Sequence, residues 1–133
     1  MNQERITIIK YRLDKADEAI KDAESLFNQG SLFSTVNRIY YAMFYSVNSL
    51  LLLKGLSSSK HKGVLSLFNK EFVKTHIISD EYGKFYNNIF ELRQEGDYDD
   101  LVEFKREDVE EWLRKAKNFI REIKLIIEKE IKI

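Results

Sequence analysis

The chain contains neither cysteine nor proline, and only five glycines and two histidines, in 133 residues. Without cysteine there is no disulfide framework and no thiolate metal site, which fits a reducing cytoplasm as the expected location. Two histidines and no thiols also leave too few ligands for a dedicated transition-metal site, so no metal and no cofactor are expected. Neither sign of charge is in excess, with Lys+Arg and Asp+Glu both at 22. A generic nucleic-acid binder would carry a basic surplus, so any such role must rest on a local patch. A long apolar run is missing as well. The most apolar stretch, Ile39 to Leu53, is about 15 residues and includes Tyr40, Tyr41, Ser46, Asn48 and Ser49. A bilayer-spanning helix needs about 20 apolar residues, so no membrane association is expected. The first residues, MNQERITIIK, are charged and lack the apolar core of a signal peptide.

What is present is a globular composition, 44% hydrophobic and 33% charged, of a length that suits one domain over residues 1–133. Ile6, Ile9, Leu13, Ala16, Ile20, Ala23 and Phe27 recur in steps of three and four, the stripe of one long helix. Gly30 follows where a C-terminal cap belongs. A second helix is expected from about Leu32 to Lys54, apolar nearly all round after Ile39 and therefore central, ending at Gly55. The serines Ser57 to Ser59 offer an N-cap to a third, shorter helix through KHKGVLSLFNKEFVK. After a connector over Thr75 to Ile78, Ser79 with Asp80 and Glu81 opens a fourth helix, expected to end near Gly96. The last begins around Arg106 to Val109 and repeats Val109, Leu113, Ala116, Ile120, Ile123 and Ile127 on one face. Nothing alternates like a strand. The expected fold is all-α, an up-and-down bundle of four to five helices with the long first and last helices antiparallel.

Three segments, in order and spacing, carry more than helical periodicity. The second helix holds Asn37, Tyr40, Tyr41, Ala42 and Phe44; the third opens with Ser59, Lys60 and His61; the fourth closes with Arg93, Gly96, Asp97 and Tyr98. Together they resemble the HEPN superfamily, and most closely its small stand-alone proteins often encoded beside a minimal nucleotidyltransferase. The likeness runs from about Ala16 to Lys129. It implies a helical bundle that forms a homodimer and brings two copies of an active motif together across a cleft. It also implies membership of a toxin–antitoxin-like pair with a nucleotidyltransferase-like partner. Many HEPN domains are metal-independent ribonucleases whose motif is an arginine, four to six residues and a histidine. In some pairs a tyrosine just after that histidine receives AMP from the partner enzyme. Arg93 fits the arginine. Tyr98, Asp99 and Asp100 stand where the histidine would fall, and Tyr98 becomes the candidate AMP acceptor.

Cleavage of RNA by its 2′-hydroxyl needs a base for the hydroxyl proton and a cation for the charge on phosphorus. An imidazole near pKa ~6.5 suits the first task; a phenol near ~10 or a carboxylate near ~4 does not without a large shift. Arg93 meets the second need, because its planar fork matches phosphate oxygens. Arg93, Asp97 and Tyr98 are thus the candidate catalytic residues. A purely structural alternative stands beside this: Arg93 pairing with Asp97 one turn on, Gly96 capping the helix, and Tyr98 packing on the bundle. Asn37 and Tyr41, one turn apart on the central helix, either satisfy a core hydrogen bond or orient Arg93 and a phosphate. Lys60, His61 and Lys62 put cationic groups at a helix start, against the macrodipole, which suits a visiting anion as well as a solvated basic turn. His61 also serves as a displaced base if folding brings it beside Arg93. His76, in the connector, is taken as incidental. The aspartates 97, 99 and 100 lack the spacing of a known cation loop. Stretches such as REDVEEWLRKAK mix signs around a helix and read as solvated faces. Two readings remain: a module that binds nucleotide or RNA phosphate beside its partner enzyme, and a ribonuclease toxin with an altered motif.

Overall fold

The computed structural model describes residues 1–98 and 102–131, with residues 95–98 described by their backbone alone. Five helices follow one another: α1 (Gln3–Asn28), α2 (Leu32–Leu52), α3 (His61–Phe68), α4 (Asp80–Tyr98) and α5 (Arg106–Glu130), with a π-helical turn at Asn69–Val73 extending α3. Among the described residues there is no strand. The all-α expectation is met.

α1 starts where Asn2 Oδ1 accepts the Arg5 backbone N–H at 2.8 Å, satisfying one of the otherwise orphaned donors of a helix start. It stops at Gly30, whose φ of 81° lies in the left-handed region that costs a side chain strain. There Ser31 N–H reaches back to Leu26 O at 2.9 Å. Gly55, at φ 69°, closes α2 in the same way. α4 begins as its sequence predicts, with Ser79 Oγ accepting the Tyr82 N–H. At its other end the structure departs from expectation. The helix does not stop near Gly96 but runs through it to Tyr98. A glycine inside a helix weakens it by about 1 kcal/mol and is not a barrier by itself.

α2 is the axle of the bundle. It packs against α1, α3, α4 and α5, and twelve of its residues are buried, including Val36, Ile39, Tyr40, Met43, Val47, Leu50 and Leu51. No side-chain hydrogen bond caps its start. Burial holds it instead, each large apolar side chain contributing about 1.5–3 kcal/mol. The stripe of α1 is buried at Ile9, Leu13, Ala16, Ala19, Ala23 and Phe27; Ala19 takes the place that Ile20 was expected to hold, and Ile20 packs at the edge. Ser49 Oγ of α2 donates to Ile9 O of α1 at 3.1 Å. α1 and α5 are antiparallel: Asp17 pairs with Lys124 at 2.6 Å and Glu24 with Lys117 at 3.1 Å, so partners advance along one helix as they retreat along the other. Every expected stripe residue of α5 is buried, and Phe119 joins them. Phe119 meets Phe68, Tyr82 and Tyr86 at 5.7–5.8 Å between ring centres, which ties α3, α4 and α5 into one core.

Candidate functional site

Consecutive residues on a helix point about 100° apart, so Tyr40 and Tyr41 divide between core and rim. Tyr40 is fully buried and Tyr41 half-buried. The first residue of α3, His61, lays its ring against the same wall. It stacks on Phe44 with 4.3 Å between centres and on Tyr40 at 5.6 Å, and meets Tyr41 edge-on at 5.8 Å. Tyr40 Oη and His61 Nδ1 are 2.6 Å apart. From α4, the Arg93 guanidinium sits over Tyr40 at 4.8 Å and over Tyr41 at 5.3 Å, and its Nη2 donates to Tyr41 Oη at 3.4 Å. A second guanidinium, Arg38, covers Tyr41 at 5.0 Å and donates to Asn37 Oδ1 at 3.1 and 3.3 Å. Cations held over aromatic faces this way gain about 0.5–2 kcal/mol, more as water is excluded.

The approach of α3 depends on Gly63. A Cβ there would land on Ser58 Oγ and 3.0 Å from Ser58 Cβ, so only glycine lets the serine loop fold over the first turn of α3. Ser58 Oγ accepts the Lys60 N–H at 3.3 Å. Lys60 and Lys62 are exposed on either side of His61. No side chain caps this helix start, and its first amide groups add partial positive charge beside the two lysines.

Burial pushes the Tyr40 phenol well above its usual range, partly opposed by the positive charge of Arg93. Burial also lowers His61, and Arg93 lowers it further. At neutral pH both groups are therefore neutral and share one hydrogen bond. If the phenol donates to Nδ1, the ring carries its proton on Nε2. If Nδ1–H donates to the phenol, Nε2 keeps a basic lone pair. The first arrangement offers a donor to an anion, the second a base.

Of the residues singled out in the sequence, Tyr41, His61 and Arg93 come together, although His61 and Arg93 lie on different helices 32 positions apart. Lys60 and Lys62 flank them. Asn37 lies near through Tyr41 but accepts from its neighbour Arg38, not from Arg93. The helical backbone of α4 carries Asp97 and Tyr98 one turn past Arg93; their side chains, and Asp99 and Asp100 altogether, lie outside the described residues. His76 is exposed in the connector at φ 62°, away from the residues that hold the cluster. Three members were missed. Tyr40 and Phe44 stand in the sequence only among the residues that carry the family likeness; Tyr40 is buried in the core, Phe44 is half-buried against it, and together they form the wall of the site. Arg38 was overlooked, yet it had a signal: it is the one formal charge between Leu32 and Leu53, on the most apolar helix of the chain. Among the described residues no group of three His, Cys, Asp or Glu could hold a metal ion.

Chemically the arrangement offers a forked cation for phosphate oxygens, a neutral imidazole that presents either a donor or a lone pair at Nε2, and aromatic faces. The family model of the HEPN domain matches residues 9–127. A Thermotoga maritima protein named UPF0332 protein is 54% identical over 94% of this chain and 95% of its own length. Two proteins of Methanocaldococcus jannaschii, named "Putative toxin MJ0142" and "Putative toxin MJ0605", are 39% and 34% identical. The matches cover 84% of this chain and 76% of the former relative, and 87% of this chain and 86% of the latter. With a family model spanning nearly the whole of it and relatives this similar, the chain belongs to the HEPN domain family.

Proposed function

We propose that this HEPN protein is the toxin-type member of a two-component system and binds the phosphate of RNA or of a nucleotide at the Arg93–His61 cluster. The observation that carries this reading is the convergence of Arg93 and His61, from α4 and α3, on the ring of one buried tyrosine, Tyr40. Arg38 and Tyr41 extend the same patch, and Lys60 and Lys62 enlarge its positive field. The names of the two methanocaldococcal relatives support the toxin-type role. A nucleotidyltransferase-like partner and a homodimer complete the proposal, with Tyr98 as the residue that would receive AMP.

A labelled single-stranded RNA, titrated in an anisotropy assay, tests the binding reading. A charged hydrogen bond is worth about 1.5–3 kcal/mol, or about 10- to 100-fold in affinity. Arg93→Ala should weaken binding by that much while its circular dichroism stays that of a folded bundle. Equal affinity for folded wild type and Arg93→Ala would sink the site.

A second reading is favoured by the Tyr40–His61 hydrogen bond. In the tautomer whose Nδ1–H donates to Tyr40, Nε2 can accept the proton of a 2′-hydroxyl. The O2′ then bonds to phosphorus as the P–O5′ bond breaks, and the 5′-oxygen leaves with the proton that Nε2 accepted, giving a 2′,3′-cyclic phosphate and a 5′-hydroxyl. Arg93 would balance the charge that builds on the phosphorane. Here His61, from another helix, does what the absent motif histidine does elsewhere in the family. Cleavage that persists in chelator, drops about 10²-fold or more in His61→Gln and vanishes in Arg93→Ala would bear this out. Binding without any cleavage would leave the first reading alone.

A further inference from the structure

A groove of about 350 Å³ opens between α1 and α2, lined by Tyr11, Arg12, Lys15, Phe44, Tyr45 and Asn48. It is outside the cluster described above but shares a wall with it. Phe44 both stacks on His61 and lines the groove. Tyr45 in turn meets Tyr41 at 6.1 Å and Phe44 at 6.2 Å.

Its chemistry is that of a nucleotide subsite. Two cations, Arg12 and Lys15, stand among three aromatic rings, two of them tyrosines, and Tyr11 is 59% exposed. Arg12 Nη1 is shielded from solvent and finds no hydrogen-bond partner among the described residues. A shielded guanidinium N–H without an acceptor is costly, and an anionic oxygen entering the groove would supply one. Lys15 lies 5.6 Å from the Tyr11 ring and 3.5 Å from Glu18. That ion pair is exposed and therefore weak, so the ammonium can turn to a phosphate at little cost. Phosphate on the cations and a base stacked on a tyrosine is the combination that binds single strands without reading their sequence.

We infer that the α1–α2 groove is a second nucleotide subsite, holding the phosphate and base of a unit next to the one at Arg93, so that a single-stranded RNA runs across Phe44 from one to the other. This rests on the phosphate-binding reading of the Arg93 cluster. The shared chemistry is a nucleotide, free or within a strand, and the two sources are distinguished by length.

The experiment measures binding of AMP, a dinucleotide and a six-residue single-stranded RNA to the full chain. Wild type is compared with Arg12→Gln/Lys15→Gln, with Tyr11→Ser, and with Arg93→Ala. Tyr11 is exposed and Arg12 and Lys15 are half-buried, and thermal melting verifies folding; removing the partnerless Arg12 N–H should leave the melting temperature unchanged or raised. The double variant should bind the six-residue RNA about 10-fold or more weakly than wild type. Its salt dependence should be shallower by about 0.7 log units per log salt for each lost phosphate contact. AMP, held at Arg93, should be affected little. Tyr11→Ser should lose several-fold on the RNA at unchanged salt slope, as stacking predicts.

If the double variant and Tyr11→Ser match wild type on the RNA while Arg93→Ala loses binding, the groove inference is overturned and the Arg93 reading stands. If Arg93→Ala also matches wild type, or if wild type binds none of the three ligands, both fall. If the groove variants lose RNA binding only because light scattering shows them dissociated, the groove is an interface between copies of the chain and the inference is again overturned.

Discussion

His61 joins a titratable group to a site that needs one. Its pKa is lowered, first by burial and then by the Arg93 charge, and the sign of its effect follows. Above the unfolded value of about 6.5 both states are neutral and its contribution to stability is complete. As the pH falls below that value, the unfolded chain takes up the proton first, and stability declines until the pH passes the lower folded value. His61→Gln should remove that part of the acid slope in denaturation curves. An anion bound beside the ring acts in the other direction, favouring imidazolium, so phosphate should bind more tightly as the solution is acidified below neutrality. Only His76 shares the histidine region of a proton NMR spectrum, so His61 can be followed directly. It should titrate below 6.5 in the free protein, move up in Arg93→Ala, and move up again when phosphate is added. A free-protein midpoint at or above 6.5 would contradict the placement of His61 against Tyr40 and Phe44.

Elements place these residues, and the start of α3 is the most sensitive. Gly63 is helical and would ordinarily gain about 1 kcal/mol on replacement by alanine. Here the new Cβ would collide with Ser58, so the sign reverses: Gly63→Ala should cost about 1–3 kcal/mol in urea denaturation and disturb His61. Ser58→Gly in the same chain should restore most of the loss, and failure of that rescue would show that the serine loop is not what glycine accommodates. Gly30 differs. Nothing lies within 4 Å of its would-be Cβ, and the penalty of about 1–2 kcal/mol expected for Gly30→Ala comes from φ alone. Both helix-ending glycines were legible because a left-handed cap follows from the end of an apolar stripe. Gly96 was misread as a third stop. Its neighbours continue the helix, and one glycine changes the balance too little to end it.

At the scale of the molecule, the proposed homodimer would elute with a light-scattering mass twice the 15.8 kDa of the chain; a strict monomer at micromolar concentration would leave the cluster of one chain to act by itself. No helix in the described residues is long and apolar enough to cross a membrane, as the broken apolar run of α2 foretold. Much of the architecture was already determined by sequence. A repeat of three and four residues states which face of α1 or α5 is buried, because helical geometry makes it a local rule, and an all-round apolar α2 can only be central. Arg93 and His61 were each recognisable as candidate groups by type and by family likeness. What only the tertiary structure decided is that they meet. No local rule relates positions 61 and 93, and their approach follows from α3 and α4 both packing against Tyr40 of α2. The same packing brought in Arg38, turned Asn37 toward it, and set a groove of α1 and α2 beside the cluster. Side-chain type is a property of the chain, but proximity across helices is a product of the whole core.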